Sequence, residues 1–127
     1  MTARIIVYFQ CLDNPLDAAY TTPIDELIKS QPDIVLLTLD NFSMADQFAL
    51  ASKGLQQSSE AILIVTSEHG SGTEGLFPLI NKLVSSKGKL FWIGDHPIAN
   101  KATAMAKGMK CEKDELSDLV NQWINEW

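Results

Sequence analysis

Residues 61–75 read Ala-Ile-Leu-Ile-Val-Thr-Ser-Glu-His-Gly-Ser-Gly-Thr-Glu-Gly, an apolar half followed by a glycine-rich half. The unbroken apolar run from Ala61 to Val65 has the length and composition of a strand buried on both faces of a sheet. The three glycines that follow allow the backbone to turn sharply or to approach a ligand closely. The stretch therefore predicts a central strand, Ala61 to Ser67, with a loop at its carboxyl end.

Three other segments have the β-branched or aromatic composition of strands, namely Arg4 to Gln10, Asp33 to Leu39 and Lys89 to Gly94. A very short fifth strand is an additional expectation around Lys110-Cys111. Helical patterns alternate with them, beginning at Thr22-Pro23, at Ser43, at Leu76, after Pro97 and at Asp114. Strands that are almost wholly apolar and alternate with helices are typical of a parallel sheet covered on both faces.

The fold class that follows is α/β. We expect residues 1–127 to form a single domain with three α/β/α layers and a doubly wound, mainly parallel sheet of four or five strands. The most economical topology is flavodoxin-like, with strand order 2-1-3-4(-5).

Several local signals set the expected helix ends. Thr22 is expected to cap the first helix with Pro23 at its first position, and Ser43-x-x-Asp46 resembles a capping box. The fourth helix is expected to extend to Met109. In the last helix the apolar residues recur with helical period and end at Trp127, and an indole there is a candidate homodimer contact.

Composition limits the function classes. With 16 acidic and 10 basic residues the formal charge is −6, which disfavours binding to nucleic acids and to anionic membranes. Arg4 is the single arginine, so bidentate clamping of phosphates or carboxylates is poorly provided for. Two distant cysteines and the lack of a long apolar run predict a cytoplasmic protein with reduced thiols and no membrane segment.

Ligands of doubly wound sheets bind beyond the carboxyl ends of the strands, where the winding reverses. Here that point lies between the first and third strands. The residues expected to reach it are the ligand-binding candidates Cys11, Asp13, Asp40, Ser67, Glu68, His69, Gly70, Gly72, Thr73, Asp95 and His96. No catalytic residue, metal ligand or cofactor is assigned from the sequence.

The glycine spacing has one well-known counterpart. Gly70-x-Gly72-x-x-Gly75 follows a predicted strand and precedes a helix, and Asp95 lies 20 residues after Gly75. This pattern resembles the dinucleotide-binding Rossmann fingerprint, which would imply a pyrophosphate at the helix N-terminus and a ribose hydroxyl on the acid. Three residues separate Thr66 from Gly70, a longer gap than in that fingerprint.

A second resemblance covers more of the chain. The segments 32–37, 64–67 and 95–98 resemble the third-, fourth- and fifth-strand motifs of response-regulator receiver domains. Thr38 stands where the phosphorylated aspartate would be, and His96 stands where the lysine would be, while Thr66 or Ser67 retains the switch hydroxyl. The resemblance implies a degenerate receiver-like domain without phosphotransfer.

Two chemical alternatives use the same edge. Cys11 with His69 and either Asp13 or Glu68 would form a nucleophile with its base, provided that a base lies near the thiol. His69 and His96 on adjacent strands, with Asp95 or Glu68, could instead converge on a metal ion.

Two function classes remain open from the sequence. The first is a small binding or protein-interaction module. The second is a nucleotide- or small-molecule-binding protein, or a small enzyme, that uses the loop from Glu68 to Gly75. The partner is an unknown small molecule or protein in either case, and a homodimer through the C-terminal helix is an additional expectation.

Overall fold

The computed structural model describes residues 4–18, 22–58, 60–70, 72–73, 75–86 and 88–126. Ten elements alternate along these residues, with a short 3₁₀ turn at Pro15–Asp17. They are β1 (Arg4–Leu12), α1 (Pro23–Ile28), β2 (Ile34–Asp40), α2 (Ala45–Gln57), β3 (Glu60–His69), α3 (Leu76–Ser85), β4 (Lys89–Ile93), α4 (Ala99–Met105), β5 (Met109–Cys111) and α5 (Lys113–Asn125). Within this part of the chain, no helix combines the length and apolarity needed to cross a membrane.

The five strands form one parallel sheet in the order β2-β1-β3-β4-β5. This confirms the predicted three-layer, doubly wound, flavodoxin-like fold, including the short fifth strand. The winding reverses between β1 and β3, because β2 lies on one side of β1 and all later strands lie on the other. The carboxyl ends of β1 and β3 therefore flank the switch point.

The central strands hold the core together. All nine residues of β1 are buried, and the apolar residues of β3 are buried with them. Alternate side chains point to opposite faces of the sheet. On one face Val7 and Leu63 pack with α2, α3 and α4, whereas on the other Ile6 and Ile62 pack with α1 and α5.

Arg4, the single arginine, ties the end of the chain's last helix to the start of the sheet. Its Nε donates to Asp33 Oδ2 at 2.9 Å, and its guanidinium donates to the Ile124 carbonyl at 3.1 Å. The same group lies 5.2 Å from the centre of the Trp123 ring, within cation–π range. The hydrogen bond from Arg4 holds the pKa of the Asp33 carboxyl below its usual value. The only guanidinium of the chain therefore serves the fold.

The first helix begins as predicted, but the second does not. The Thr22 side chain accepts from the Ile24 N–H and Asp25 accepts from the Thr22 N–H, with Pro23 at the first helical position. The predicted capping box of Ser43 with Asp46 is wrong. Ser43 Oγ accepts from the Asp40 N–H at 3.0 Å, and so it closes the turn after β2 instead of capping α2. The α2 helix begins two residues later, at Ala45.

The fourth helix is shorter than predicted. It ends at Met105, and Met109 lies in β5. The cause is a left-handed residue, Lys107, with φ of 50°, which allows the Gly108 N–H to donate to the Thr103 carbonyl at 2.7 Å. A Cβ at Gly108 would lie 2.7 Å from Leu90 Cβ, so the chain passes too close to β4 for a larger residue.

Replacing Lys107 tests this helix end. Lys107 is exposed and adopts a conformation that costs an L-residue free energy but suits glycine. We expect Lys107→Gly to raise the free energy of unfolding by about 0.5–1 kcal/mol in urea denaturation. Lys107→Ala keeps the Cβ and is the control, for which we expect no gain. Equal effects of the two substitutions would show that φ is not the cause.

Candidate functional site at the carboxyl edge of the sheet

The loops after β1 and β3 meet at the switch point. Gln10 pairs with Thr66 and Leu12 pairs with His69, so β3 carries one more residue than β1 across this interval. The extra residue shifts the register of the pair by one, as a β-bulge does, and such a shift re-aims side chains at the ends of strands. The backbone of His69 is thereby brought beside Leu12, next to the β1 loop.

The glycine loop lies directly on the β1 loop. A Cβ added at Gly70 would come within 2.7 Å of Leu12 Cα and closer still to the Asp13 backbone. A Cβ at Gly72 would lie 2.7 Å from the Leu12 carbonyl oxygen and would overlap the Asn41 side chain. Both positions therefore require glycine for contact with the chain's own backbone.

Asn41 makes two hydrogen bonds with the backbone of Leu12 beside the glycine loop. Its Oδ1 accepts from the Leu12 N–H at 2.7 Å, and its Nδ2 donates to the Leu12 carbonyl at 3.0 Å. The side-chain amide therefore acts as a further peptide unit after β2 ends at Asp40, and it satisfies the last backbone groups of β1. The crevice between the β1 and β3 loops is thus filled by Asn41 and the glycine loop.

The third glycine has a different role. Gly75 precedes α3 with φ of 79°, the left-handed region that glycine tolerates best. A Cβ there would lie 2.6 Å from the Phe48 ring of α2. All three glycines of the G-x-G-x-x-G pattern are accounted for by the turn and by packing within the domain.

Ser67 and His96 take part in local packing around Trp92. The buried Trp92 indole donates to Ser67 Oγ at 3.0 Å, and Ser67 donates to the Ile93 carbonyl at 3.3 Å. The His96 ring lies 6.0 Å from the Trp92 ring, and its Nδ1 accepts from the Ile98 N–H at 3.2 Å. That hydrogen bond orients the His96 ring at the start of α4.

The remaining candidates at the ends of β1 and β3 do not lie together. Cys11 is 1% exposed and packs in the core beneath α2 and α3, whereas Asp13 is exposed. Glu68 lies on the α5 side, where its Oε2 is 3.7 Å from Lys113 Nζ. The His69 side chain is outside the described part of the structure. In the described residues, no group of three or more Asp, Glu, His or Cys side chains converges on a metal position.

Two open clefts flank the filled switch point. The Thr38 cleft, of about 420 Å³, lies at the ends of β1 and β2 and is lined by Gln10, Pro15, Thr38, Asp40, Phe42 and Gln47 among others. The Cys111 cleft, of about 450 Å³, lies at the ends of β4 and β5 and is lined by Gly94, Asp95, Lys110, Cys111, Glu112 and Glu115. Of the predicted candidates, Asp40 lines the first cleft and Asp95 lines the second. Thr73 lies in neither set and is half-buried in the glycine loop.

The thiol in the Cys111 cleft is poorly suited to nucleophilic chemistry. Burial, followed by the nearby Glu115 and Glu112 carboxylates, raises the pKa of Cys111 to about 11. The thiolate is the nucleophilic form of cysteine, and this thiol stays protonated near neutral pH.

Acidic residues dominate the carboxyl edge. The segments that leave the strands, residues 12–22, 40–46, 68–75, 94–98 and 111–115, contain one lysine, Lys113. Among the described residues of these segments, the acidic ones are Asp13, Asp17, Asp40, Asp46, Glu68, Asp95, Glu112, Asp114 and Glu115. An edge of this charge attracts cations and repels phosphates.

The chain matches no protein-family model and no curated protein sequence.

Sequence reasoning did not assign the buried polar side chains Tyr8 and Gln10 behind the edge. They are 6% and 4% exposed and lie, with Thr66 at 8%, on the sheet face that α1 and α5 cover. Burial, followed by the Glu68 carboxylate, raises the pKa of Tyr8 to about 12. The available signal was the interruption of an apolar strand by Tyr8 and Gln10, which share one face by alternation.

Gly70→Ala tests whether the glycine loop serves packing. Its Cβ would meet backbone atoms of Leu12 and Asp13 that cannot rotate away. We expect the free energy of unfolding to fall by about 1–3 kcal/mol in urea denaturation. Thr73→Ala, in the same loop, removes atoms without adding any and should cost less. A Gly70→Ala protein of unchanged stability would contradict the packing explanation.

The Tyr8 phenol predicts an alkaline transition. Its folded pKa of about 12 lies above the unfolded value of 10.0, so the neutral form is favoured in the folded domain. This contribution to stability is complete below pH 10 and is lost as the pH rises towards 12, by about 2 kcal/mol. Tyr8→Phe has no phenol to ionise, so its stability should decline less over that interval. Parallel pH profiles for the two proteins in chemical denaturation would refute the prediction.

Proposed function

We propose that this domain is a protein-interaction module whose Thr38 cleft binds a basic segment of a partner protein that also carries an apolar anchor. The observation that carries the proposal is the composition of this cleft. A polar floor and exposed apolar side chains occur together, within an acidic edge of the sheet.

The floor of the cleft is built for hydrogen bonds. Gln10 and Asp40 are paired neighbours on β1 and β2, and Thr38 lies two residues before Asp40 on the same face. Asp40 Oδ1 accepts from the Phe42 N–H at 2.7 Å, which fixes the carboxylate at the mouth of the cleft. A carboxylate held in this way is suited to accept from a lysine or arginine side chain.

The rim supplies apolar contact area. Leu16, Phe42 and Met44 are 88%, 47% and 72% exposed and belong to the two loops that border the cleft. Large apolar side chains that stay exposed are candidates for contact with a protein partner, and methionine adapts its shape to different partners. These three residues are the proposed contacts for the apolar anchor.

Charge selects the class of partner. Asp13 and Asp17 lie in the segment after β1, Asp40 ends β2, and Asp46 lies in the first turn of α2. No basic residue is found in residues 12–22 or 40–46. A basic segment is attracted to such a surface, whereas a nucleotide or a phosphorylated peptide is repelled. The packing of Gly70 and Gly72 against the chain's own backbone weighs further against a pyrophosphate in the glycine loop.

The receiver resemblance is consistent with this proposal. By that resemblance Thr38 stands at the place of the phosphorylated aspartate, and the cleft therefore opens where receiver domains carry their acceptor. A threonine there supports partner binding without phosphotransfer, in a domain of the same topology.

The proposal is tested by selecting binders from a random peptide library displayed on phage, with the wild-type domain as bait. We expect enrichment of peptides that combine Lys or Arg with Leu, Phe or Trp. A synthetic peptide of the consensus should bind more weakly as salt is raised, because exposed charges are screened. In NMR titrations the largest shifts should fall on residues 38–47.

Two variants locate the binding energy. Asp40→Asn removes the charge, and Phe42→Ala removes an exposed anchor. We expect each to weaken binding of the consensus peptide by about tenfold. Met105→Ala also truncates an exposed apolar residue, but on α4, away from the cleft, and should bind like the wild type. Enrichment of acidic peptides, or shifts confined to another face, would overturn the proposal.

A further inference from the structure

The outer edge of β2 is an unprotected strand edge. Within the described part of the chain β2 pairs with β1 alone, and its seven residues, Ile-Val-Leu-Leu-Thr-Leu-Asp, include no lysine and no proline. Soluble proteins usually protect such an edge with charges, proline or a bulge, because its free backbone groups pair readily with another strand. The opposite edge strand, β5, is only three residues long and carries Lys110.

The backbone groups at this edge can be assigned. The Arg4 N–H donates to the Asp33 carbonyl, so Asp33 faces β1. Groups alternate along a strand, and therefore Val35, Leu37 and Leu39 also face β1 while the even-numbered residues face outwards. Two outward N–H groups are already used, since Ile34 donates to Gln31 and Asp40 donates to Ser43. Leu36 and Thr38 are left in the middle of the outer edge.

The α2 helix beside this edge carries an exposed stripe of charged, apolar and polar side chains. Asp46, Leu50, Lys53 and Gln57 recur at helical spacing and are all exposed, with Leu50 at 57%. Between this stripe and β2 lies an apolar groove of about 370 Å³, lined in part by Leu50, Val35 and Leu37. Val35 is 45% exposed, so the groove is open to an occupant.

We propose that the occupant is a second copy of this chain, related by a two-fold axis that passes beside Leu37. The β2 strands of the two copies pair antiparallel and extend the sheet from five strands to ten. The α2 helices then lie antiparallel on one face of the extended sheet, on either side of the axis. Such an interface uses the same patch on both copies.

The outer edge of β2 and the exposed stripe of α2 are each complementary to the same element of a second copy. Around Leu37, Leu36 of one copy lies opposite Thr38 of the second, and each pair exchanges two hydrogen bonds between outward-facing groups. On the helices, Leu50 meets Leu50 of the second copy near the axis. Asp46 then lies near Lys53 of the second copy, and this contact occurs twice. Opposite charges at both ends of an apolar centre favour this antiparallel arrangement over a parallel one.

Charge reversal tests the helix contacts by sedimentation equilibrium in low salt. The wild type is expected to dimerise, and Lys53→Glu should weaken dimerisation by about tenfold because it places like charges together at both ends. The double variant Asp46→Lys with Lys53→Glu restores opposite charges and should recover the wild-type constant. A wild type that stays monomeric at every concentration, or a double variant no better than Lys53→Glu, would overturn the proposal.

Substitution of Thr38 tests the strand pairing separately. Thr38→Pro removes an outward N–H that β1 does not use, so the monomer should fold while the dimer weakens. Thr38→Val retains the N–H and should dimerise like the wild type. Circular dichroism checks that both variants fold. If Thr38→Pro does not fold, Leu50→Asp is a second variant that should disrupt the dimer. A dimer that survives both Leu50→Asp and Lys53→Glu would place the interface elsewhere and overturn the proposal.

Discussion

The burial of β1 on both faces and along both edges is the constraint on which the rest of the fold depends. All nine residues from Arg4 to Leu12 are buried, so each face of the strand needs a covering layer of helices. Its backbone groups need a strand on each side, and β2 and β3 supply them. The polar residues of the strand need partners in turn, as Arg4 finds in Asp33 and Ile124. The switch point then lies at the carboxyl end of this strand.

That switch point differs from an open ligand crevice, because the chain fills it. Gly70 and Gly72 bring the β3 loop into contact with the backbone of Leu12, and Asn41 completes the hydrogen bonding of the same residue. The accessible volume lies instead in the clefts on either side. The partner-binding surface proposed above therefore lies not at the centre of the edge but towards β2, where acidic and apolar side chains occur together.

The sequence predicts the fold well because buried parallel strands are continuous apolar runs, and right-handed connections leave few topologies for them. The ends of helices are predicted less well: Ser43 closes a turn instead of capping α2, and left-handed Lys107 ends α4 before Met109. A binding site is harder to predict from sequence than a helix end. Glycine spacing is the same whether a backbone approaches a ligand or another segment of the chain. The Thr38 cleft is formed by two loops distant in sequence, which no local pattern reveals.

Because β1 is buried, the thiol of Cys11 can serve as a probe of the unfolding of the domain. The Cys11 thiol is 1% exposed and lies beneath α2 and α3, whereas the Cys111 thiol lies on an edge strand and is partly exposed. A thiol reagent reaches Cys11 only after the central strand separates from its covering helices, a motion that requires most of the domain to unfold. The rate of Cys11 modification therefore reports on global opening, and the rate at Cys111 reports on fraying of the β5 edge.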